Sequence, residues 1–599
     1  MTDKIDKIWT DLEQYYGTAG NVQPPPDGPG QKQGTDGLGR REFLKLGGVA
    51  AVFSMVGCMQ RPAEKIIPYL NQPEETVPGV ATWYATTCSE CQAACGVLAR
   101  VREGRPVKLE GNPNHPLNLG ALCSRGQAGL FNLYDPGRLH TPVRRKPDGG
   151  WEEAEFDDLD GEIAAKLKGV TGEVVLLTGS WHGPARINLA EKFLAGFTNA
   201  RHLRSEALTD YLWIESLQEA FGSDLPAQYA FDRADLVVTF GADPLATSPY
   251  RMQYLREFAG RRDPDAQSML RLVCFDPAMS ETAALADQRY PVRGSELYKA
   301  AGALARQIIA VKSVSPYAED SRVTSALAEF EASPVENSLG LPAGTIVALA
   351  EQLIAAGSRA LLISENFSNT GPGGNQLHLL VNLLNSALGS VGSTFIVDAA
   401  PRSHRTDSLA ELARLVERMA AGRVGALIVC GVNPAHVLPA EAGLAQALAR
   451  VPLKVSLADR LDETASLCDW VLPSLHGGES WNDAEPLRGV YSLQQPTISP
   501  IWNNRQAEDS LLRIGHRLGI QAFRTGENPV RWRDYLKNYW KENIYPAADS
   551  AGSFDSFWVA CLREGVCRME TDSAAKAQPS FNPESLAELM ASGNVENSL

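Results

Sequence analysis

Four cysteines early in the chain constrain its fold most. Cys88, Cys91 and Cys95 are separated by two and three residues, and Cys123 follows after 27 more. Thiols at this spacing can meet around one small volume, which suits a cubane [4Fe-4S] cluster. Cys88, Cys91, Cys95 and Cys123 are therefore predicted to be the ligands of a metal cluster.

Two other roles for these cysteines stay open on spacing alone. Structural zinc sites also take four cysteines, although they usually pair two short C-x2-4-C knuckles. Here the second group is a lone cysteine. Disulfides would form if the chain were exported to an oxidising compartment. The motif Cys-x-x-Cys-His does not occur in the sequence, which excludes covalent c-type haem on this chain.

The length and the charge of the chain limit the classes of protein to which it can belong. The chain has 599 residues, which at roughly 150 residues per domain predicts two to four domains. The net charge is -15 and the sequence pI is about 5.2. Nucleic-acid binding needs basic patches, so this balance argues against a nucleic-acid partner.

Residues 1–58 differ in character from the rest. Residues 19–39 are rich in Gly, Pro, Gln and Asp and are expected to be a disordered lead. The paired Arg40 and Arg41 then precede a weakly apolar run of 12 residues that is too short to span a bilayer. This order is similar to that of a twin-arginine export signal. The alternative is a short buried helix with a basic start.

The end of this region predicts where the protein resides. Met55-Val-Gly-Cys58 resembles a lipoprotein box, in which Cys58 would carry the lipid that holds the protein at a membrane surface. No other segment of the sequence is long and apolar enough to span a membrane. The expected location is the periplasm, peripheral on the cytoplasmic membrane.

Residues 59–140 are expected to form a small β-rich cap that carries the cysteines. The stretch 96–111 predicts a hairpin whose two alternating strands are joined by Glu103-Gly104-Arg105.

Residues 141–515 predict two doubly wound α/β domains that are interleaved in sequence. Short apolar runs alternate with amphipathic helices, which indicates parallel sheets covered on both faces. The helices include 297–311 and 409–422. The predicted strands are 173–179, 235–241, 271–276, 360–364, 426–431 and 453–457.

Turns that follow these strands are the expected ligand site, since ligands of such sheets lie beyond the carboxyl ends of the strands. The turns are 241–244, 276–280, 371–375 and 431–434, and their backbone amides suit phosphates, although plain strand-to-helix connections look the same. Neither G-x-x-x-x-G-K-[ST] nor a full G-x-G-x-x-G occurs, so ATP and NAD are not indicated.

Together these motifs resemble the molybdopterin oxidoreductase family. The cysteines are followed by Ser124-Arg125-Gly126, and the turns read Gly-Ala-Asp-Pro, Asp-Pro-x-x-Ser-x-Thr and Gly-Val-Asn-Pro. The similarity runs from about residue 83 to residue 514 and includes 461–473 and 479–483. The stretches 60–68 and 489–496 are similar to one branch, the molybdopterin-binding-like subunits of alternative complex III and the menaquinone reductase complex.

The resemblance implies a subunit that does not catalyse oxo transfer. Family enzymes hold molybdenum or tungsten with a Cys, selenocysteine, Ser or Asp after the second strand of the cofactor domain. The corresponding stretch, 202–211, has no cysteine, and Ser205 and Asp210 are its possible oxygen ligands. The alternative is that both are ordinary polar loop residues.

The same resemblance implies that the usual C-terminal domain over the pterin is missing. About 85 residues follow Ile514, and residues 516–599 predict helices at 530–540 and 554–564 and then a polar, disordered tail. This argues against tight binding of molybdopterin guanine dinucleotide, because ligand sites bury most of their ligand.

Arg125 is the predicted cofactor-contacting residue, by resemblance. It would lie between the cluster and the pterin, where a cation would stabilise the reduced cluster and raise its potential. An ion pair with a nearby carboxylate is the alternative. Among the other cysteines, Cys274 and Cys430 lie in apolar strands and are predicted to be buried thiols. Cys468, Cys561 and Cys567 have no ligand spacing and no predicted role.

The favoured hypothesis is a non-catalytic, cluster-bearing subunit of a quinone-linked respiratory complex. By resemblance its partners would be a ferredoxin-like iron–sulfur subunit, a multi-span membrane subunit with the quinone site, and a multihaem cytochrome c. One alternative is a catalytic molybdenum or tungsten oxidoreductase of the polysulfide, thiosulfate or tetrathionate reductase type. Another is a purely structural subunit whose cluster is never reduced.

Overall fold

The computed structural model describes residues 77, 79–179, 181–207, 209–266, 268–366, 373–525, 528–548, 552–569 and 579–591. The predicted export signal, Cys58 and the stretch 60–68 lie outside the described residues. The chain divides into the units Met1–Trp83 and Tyr84–Leu599.

Strands and short helices alternate along the chain. The strands are β1 (Thr82–Thr87), β2 (Gly96–Arg102), β3 (Arg105–Gly111), β4 (Val143–Arg145), β5 (Trp151–Glu153), β6 (Glu173–Thr178), β7 (Ala200–Arg204), β8 (Gln228–Tyr229), β9 (Leu236–Phe240), β10 (Arg271–Phe275), β11 (Gln288–Tyr290), β12 (Ala360–Ile363), β13 (Phe395–Ile396), β14 (Val424–Cys430), β15 (Leu453–Ser456), β16 (Trp470–Val471), β17 (Asn482–Leu487), β18 (Val490–Gln494), β19 (Arg524–Thr525), β20 (Asn528–Pro529) and β21 (Cys567–Arg568). The helices are α1 (Ser124–Leu133), α2 (Phe156–Lys168), α3 (Pro184–Leu194), α4 (Tyr211–Phe221), α5 (Arg251–Gly260), α6 (Glu281–Ala284), α7 (Leu297–Ala305), α8 (Ser321–Ala326), α9 (Ala332–Leu339), α10 (Thr345–Ala356), α11 (Gly374–Ala387), α12 (Leu409–Ala420), α13 (Pro434–Val437), α14 (Leu444–Leu448), α15 (Ala507–Leu518), α16 (Trp532–Tyr539), α17 (Phe554–Glu564) and α18 (Pro583–Ala591).

The cap is built on the predicted hairpin. Strands β2 and β3 pair antiparallel, and their connection is Glu103 and Gly104, with φ of 51° and 77°. Two successive positive φ angles form the two-residue turn that matches the twist of a hairpin. Arg105 belongs to β3, so the loop is one residue shorter than predicted. The cap ends in α1, which begins directly after Cys123.

A four-stranded parallel sheet forms the centre of one α/β domain. Its strand order is β11-β10-β9-β12. Neighbouring residues of a strand point to opposite faces. Val238 and Phe240 accordingly pack in one apolar core and Val237 in another, so both faces are covered.

A seven-stranded sheet of order β5-β4-β16-β15-β14-β6-β7 forms the other domain. The strands from β16 to β7 are parallel, whereas β4 and β5 add to the edge antiparallel. This sheet takes strands from both sides of the four-stranded sheet in sequence. The predicted α/β class, with interleaved parallel sheets and a small β-rich cap, is therefore confirmed.

The predicted strands and helices match the observed ones closely, with local differences. Each predicted apolar run became a strand, and the run 426–431 extends back to Val424. Helix α7 continues as a π-helical turn over Arg306–Val311, as does α16 over Trp540–Ile544. The edge strand β7 was missed, because only Leu203 among its residues is fully buried.

The expectation of a disordered tail is wrong for residues 579–591. Helix α18 lies there, and Phe581 and Leu586 are buried in the core beside the four-stranded sheet. Their apolar side chains remove enough surface from water to hold this segment against the domain. Among the described residues, a helix of the length and hydropathy needed to cross a membrane is not found.

Candidate metal centre and adjoining cleft

The fold brings the four predicted cysteines around one cavity. Cys88, Cys91, Cys95 and Cys123 all line it. The Cys88 N–H donates a hydrogen bond to the Cys95 carbonyl at 2.8 Å, which closes the loop that carries three of the thiols. The arrangement fits a cubane cluster, which needs a thiolate at each of four corners. Within the described residues, no three His, Cys, Asp or Glu side chains are placed to hold a single metal ion.

A glycine allows α1 to pack closely against this cavity. A Cβ atom at Gly126 would collide with the Leu122 side chain and lie 3.5 Å from Cys88 Sγ. Gly126 is in the first turn of α1, one turn after Cys123, which is the N-cap of that helix. The helix therefore points its positive end at the cavity.

Burial and hydrogen bonding shift the pKa values of the thiols in opposite directions. Cys88 and Cys95 are buried, and burial raises the pKa of both thiols, to about 12 for Cys95. Burial also raises the pKa of the half-buried Cys123 thiol, but the Gly126 N–H and the positive charge of Arg251 outweigh it, so the pKa is lowered overall. Cys123 is thus more readily a thiolate than the buried Cys88 and Cys95.

Two arginines flank the cavity. Arg251 Nη2 donates a hydrogen bond to Cys123 Sγ at 2.8 Å. Arg125 lines both the cavity and the larger cleft beside it, as the resemblance implies. Its side chain is exposed, and in the described part of the chain it makes no ion pair with a carboxylate, which was the alternative prediction. Arg251 was not predicted from the sequence.

The cleft has a volume of about 1150 Å³ and lies between the cap and the α/β domains. Cys91, Cys123 and Arg125 line it on the cap side. Gly431, in the predicted turn after β14, lines it on the side of the seven-stranded sheet. The turn after β9 leads into Leu245 at the same cleft, while part of the turn 371–375 lies outside the described residues. The carboxyl ends of the strands thus face the cluster cavity across this space.

Two of the four arginines that line the cleft are paired with carboxylates of the chain itself. Arg186 Nε lies 2.6 Å from Glu508 Oε1. Arg460 pairs with Asp459 at 3.0 Å and with Asp135 at 2.8 Å. These pairs reduce the positive charge available to the phosphates of a dinucleotide, and among the described residues they leave Arg125 and Arg251 as the cleft arginines without a carboxylate partner.

The predicted oxygen ligands do not line the cleft. Asp210 is the N-cap of α4: its Oδ1 accepts the Trp213 N–H at 3.0 Å and its Oδ2 accepts the Asn366 N–H at 2.9 Å. Ser205 donates its N–H to the Thr178 carbonyl at 2.8 Å and so continues the pairing of β7 with β6. From this segment it is Glu206, not singled out by sequence, that lines the cleft.

A smaller cavity of about 50 Å³ lies next to the cleft, and Asp210 is one of the residues that line it. Burial raises the pKa of Glu365 in its wall to about 8 and lowers that of His404 to about 4. His404 Nε2–H donates to the Glu485 carbonyl at 2.8 Å, so its Nδ1 accepts the Tyr250 hydroxyl at 3.1 Å. These residues come from distant segments, and no local sequence pattern marks them.

Glu90 anchors the cysteine loop to the body. Asn132 Nδ2 donates to Glu90 Oε2 at 2.8 Å, and His476 Nε2 lies 3.4 Å from Glu90 Oε1. The other cysteines that the structure describes lie outside the cavity. Cys274, Cys430, Cys468 and Cys561 are buried and Cys567 is half-buried; of these, Cys430 also lines the cleft.

Family models match two adjoining parts of this chain. The molybdopterin oxidoreductase Fe4S4 domain matches residues 81–135, and the molybdopterin oxidoreductase model matches residues 138–509, which is more than half of the chain. The first match contains all four cysteines of the cavity.

Curated relatives extend over most of the chain. The menaquinone reductase molybdopterin-binding-like subunit of Nitratidesulfovibrio vulgaris is 29% identical over 587 residues, which cover 92% of this chain and 80% of the relative. The arsenate respiratory reductase molybdopterin-containing subunit of Shewanella sp. is 22% identical, with 88% and 74% covered. The thiosulfate reductase molybdopterin-containing subunit of Salmonella typhimurium is 22% identical, with 81% and 70% covered.

Among solved structures, acetylene hydratase from Pelobacter acetylenicus superposes with a TM-score of 0.65 and 15% identity. The superposition covers 84% of this chain and 76% of the hydratase. At this identity the likeness establishes the fold alone.

Proposed function

Because this chain belongs to the molybdopterin oxidoreductase family, we propose that it is an iron–sulfur, molybdopterin-binding-like subunit of a quinone-linked respiratory complex. Its Fe4S4 domain supports a [4Fe-4S] cluster, and the proposed ligands are Cys88, Cys91, Cys95 and Cys123. The subunit transfers electrons or serves as a scaffold and works without molybdenum. The resemblance to the menaquinone reductase subunit supports this role.

One contrast in the site carries the proposal. The four thiols converge on one cavity that opens to the cleft through Cys91 and Cys123. Asp210, one of the two possible oxygen ligands, instead caps a helix, and each of its oxygens accepts a backbone N–H group. Neither it nor Ser205 lines the cleft. The predicted donor set therefore does not fit a molybdenum or tungsten ion.

The residues around the cavity suit one-electron transfer, which is the chemistry that a [4Fe-4S] cluster supplies when bound. Cys88 and Cys95 hold the buried side, where water is excluded. Cys91 and Cys123 hold the side that faces the cleft. Arg125 lies at this boundary and favours negative charge on the cluster. We place the exchange of electrons with a partner on the cleft side.

The proposal includes the assembly and its location. The partners are a ferredoxin-like iron–sulfur subunit, a multi-span membrane subunit with the quinone site and a multihaem cytochrome c. The twin-arginine motif at Arg40 and Arg41 supports export to the periplasm, and Cys58 is the proposed lipid anchor at the cytoplasmic membrane.

Purification of the full-length protein from native membranes in mild detergent tests the assembly. The expected preparation contains the three partner subunits, identified by mass spectrometry, and c-type haem by its absorption spectrum. Recovery of the chain as a lone monomer from both membrane and soluble fractions would contradict the proposed assembly.

Replacement of Arg40 and Arg41 by lysine tests the location. This change is expected to retain the protein in the cytoplasm, whereas Arg414→Lys leaves export unchanged.

A second candidate function is a catalytic molybdenum or tungsten oxidoreductase. Glu206 favours it, because this carboxylate lines the cleft from the segment in which family enzymes carry their metal ligand. The resemblance to the arsenate respiratory reductase and thiosulfate reductase subunits also favours it. The two candidates differ in metal content, so metal analysis of the natively purified protein separates them.

A further inference from the structure

A second arginine, Arg251, contacts the cysteine quartet directly. Its Nη2 donates to Cys123 Sγ at 2.8 Å, although 128 residues separate the two in sequence. Its side chain is half-buried and lines both the cysteine cavity and the cleft. Arg125, by contrast, is exposed.

Helix stability does not explain the position of Arg251. It is the first residue of α5, where a cation opposes the positive end of the helix dipole. In the described part of the chain, no carboxylate lies within ion-pair distance of it. Besides the bond to Cys123, the one hydrogen bond that its guanidinium donates to a described residue is long, at 3.4 Å to the Ser248 carbonyl. The guanidinium charge is therefore directed at sulfur.

A helix N-terminus, two backbone N–H groups and the Arg251 guanidinium meet at the Cys123 thiol. This thiol lies at the N-terminus of α1, and the Gly126 and Arg125 N–H groups point to it in addition to Arg251. The Arg251 charge also acts on Cys91 and Cys95. Hydrogen bonds and charges at ligand sulfurs are among the means by which a protein sets the potential of a cluster.

We propose that Arg251 holds the reduction potential of the cluster up by placing a fixed positive charge on the Cys123 ligand. This inference rests on the proposed function, since it requires Cys123 to ligate the cluster. The step is a one-electron reduction by a redox group of a partner subunit. No bond breaks and no proton moves, because an arginine side chain stays protonated throughout. The guanidinium stabilises the extra negative charge of the reduced cluster.

Redox-titrated EPR of full-length protein carrying its cluster tests the proposal. Arg251→Gln is expected to shift the reduction equilibrium about tenfold toward the oxidised cluster, which is a midpoint potential lowered by about 59 mV for one electron. Arg256→Gln is the matched control, since it removes the same charge from the same helix but its guanidinium donates to the Leu119 carbonyl. It is expected to leave the potential nearly unchanged.

The iron content of each variant is measured with the titration. Full iron content and an unshifted potential in Arg251→Gln would overturn the proposal. If that variant loses iron, Arg251→His decides, because imidazole is charged at pH 5.5 and neutral at pH 8.5. Its potential is expected to fall between these pH values by more than that of the wild type, and parallel pH profiles would contradict the proposal. Wild-type protein without an EPR-active cluster would instead count against the proposed function.

Discussion

Arg138 and Glu479 form a fully buried ion pair, with Arg138 Nη2 2.6 Å from Glu479 Oε2. Arg138 also donates to the carbonyl of Leu133, the last residue of α1, at 2.8 Å. Glu479 accepts the His476 N–H at 2.9 Å, and His476 faces Glu90 of the cysteine loop. Through Leu133 and His476, the ion pair therefore connects both the end of α1 and the cysteine loop of the cap to the α/β body.

Glu479→Gln is expected to destabilise the protein and loosen its hold on iron. The substitution keeps the shape but removes the closer and fully buried carboxylate partner of Arg138, leaving only the more distant Asp459 at 3.7 Å. Breaking a buried pair in this way costs up to about 3–5 kcal/mol. Thermal unfolding and the rate of iron release to a chelator measure the two effects. Glu463→Gln is the control, because Glu463 pairs with His436 at an exposed site. A Glu479→Gln variant that melts with the wild type would contradict the assigned role.

Cys95→Ala is expected to abolish the cluster. The thiol lines the cavity, and its removal leaves three ligands for a cubane that needs four. Iron content should fall from about four atoms per chain toward zero, with loss of the cluster's visible absorption. Cys468→Ala removes an equally buried thiol outside the cavity and should keep full iron. Retention of iron by the Cys95 variant would refute the assigned ligand set.

Asp210→Ala is expected to behave as the loss of a helix cap. The Trp213 N–H would lose its partner, at a cost of about 0.5–2 kcal/mol, whereas Asn at this position keeps an oxygen for it. Asp320→Ala, at the N-cap of α8, provides the loss of a helix cap at a half-buried site. Thermal unfolding and metal content are compared. Loss of bound molybdenum or tungsten from Asp210→Asn at unchanged melting temperature would identify a metal ligand instead.

Asp483 should make stability depend on pH. The carboxyl group is buried, and its Oδ2 accepts hydrogen bonds from Trp540 Nε1 at 3.0 Å and from the Ala185 N–H at 3.3 Å. Burial raises its pKa from 3.8 to about 7. Between these values the folded protein binds the proton that the unfolded chain has lost. The stability contributed by this group is therefore full below about pH 4 and is lost as the pH rises through about 7.

Asp483→Asn removes this titration while keeping the shape and an oxygen acceptor. The melting temperature of the variant relative to wild type is expected to rise from pH 5 to pH 8. Asp157→Asn, at a highly exposed site, should show no such trend. If the difference between Asp483→Asn and wild type stays constant over this range, Asp483 does not titrate as described.

Local sequence patterns predicted most of the fold. The runs that became β6, β9 and β14 could be recognised as strands because every residue in these strands is buried. Strand β7 is an edge strand, and an edge strand does not need an apolar sequence. The Asp before the apolar stretch 211–221 is a helix-start signal, whereas from the sequence it is predicted only as a possible metal ligand or an ordinary polar loop residue.

The candidate site was predictable only in its cysteines and Arg125. These residues lie close together in sequence, with ligand spacing. Arg251 meets Cys123 across 128 residues, and Arg138 meets Glu479 across 341. Such contacts depend on how the sheets pack against each other in the folded protein. The local periodicity of a single sequence does not indicate this packing.

Metal analysis of the intact, natively purified protein tests the central claim most directly. The proposed role, a cluster-bearing subunit without a metal in its cleft, predicts about four iron atoms per chain and no stoichiometric molybdenum or tungsten. Pterin fluorescence after acid release of cofactors should likewise be absent. Molybdenum or tungsten at one atom per chain together with a released pterin would contradict the account and establish the catalytic alternative.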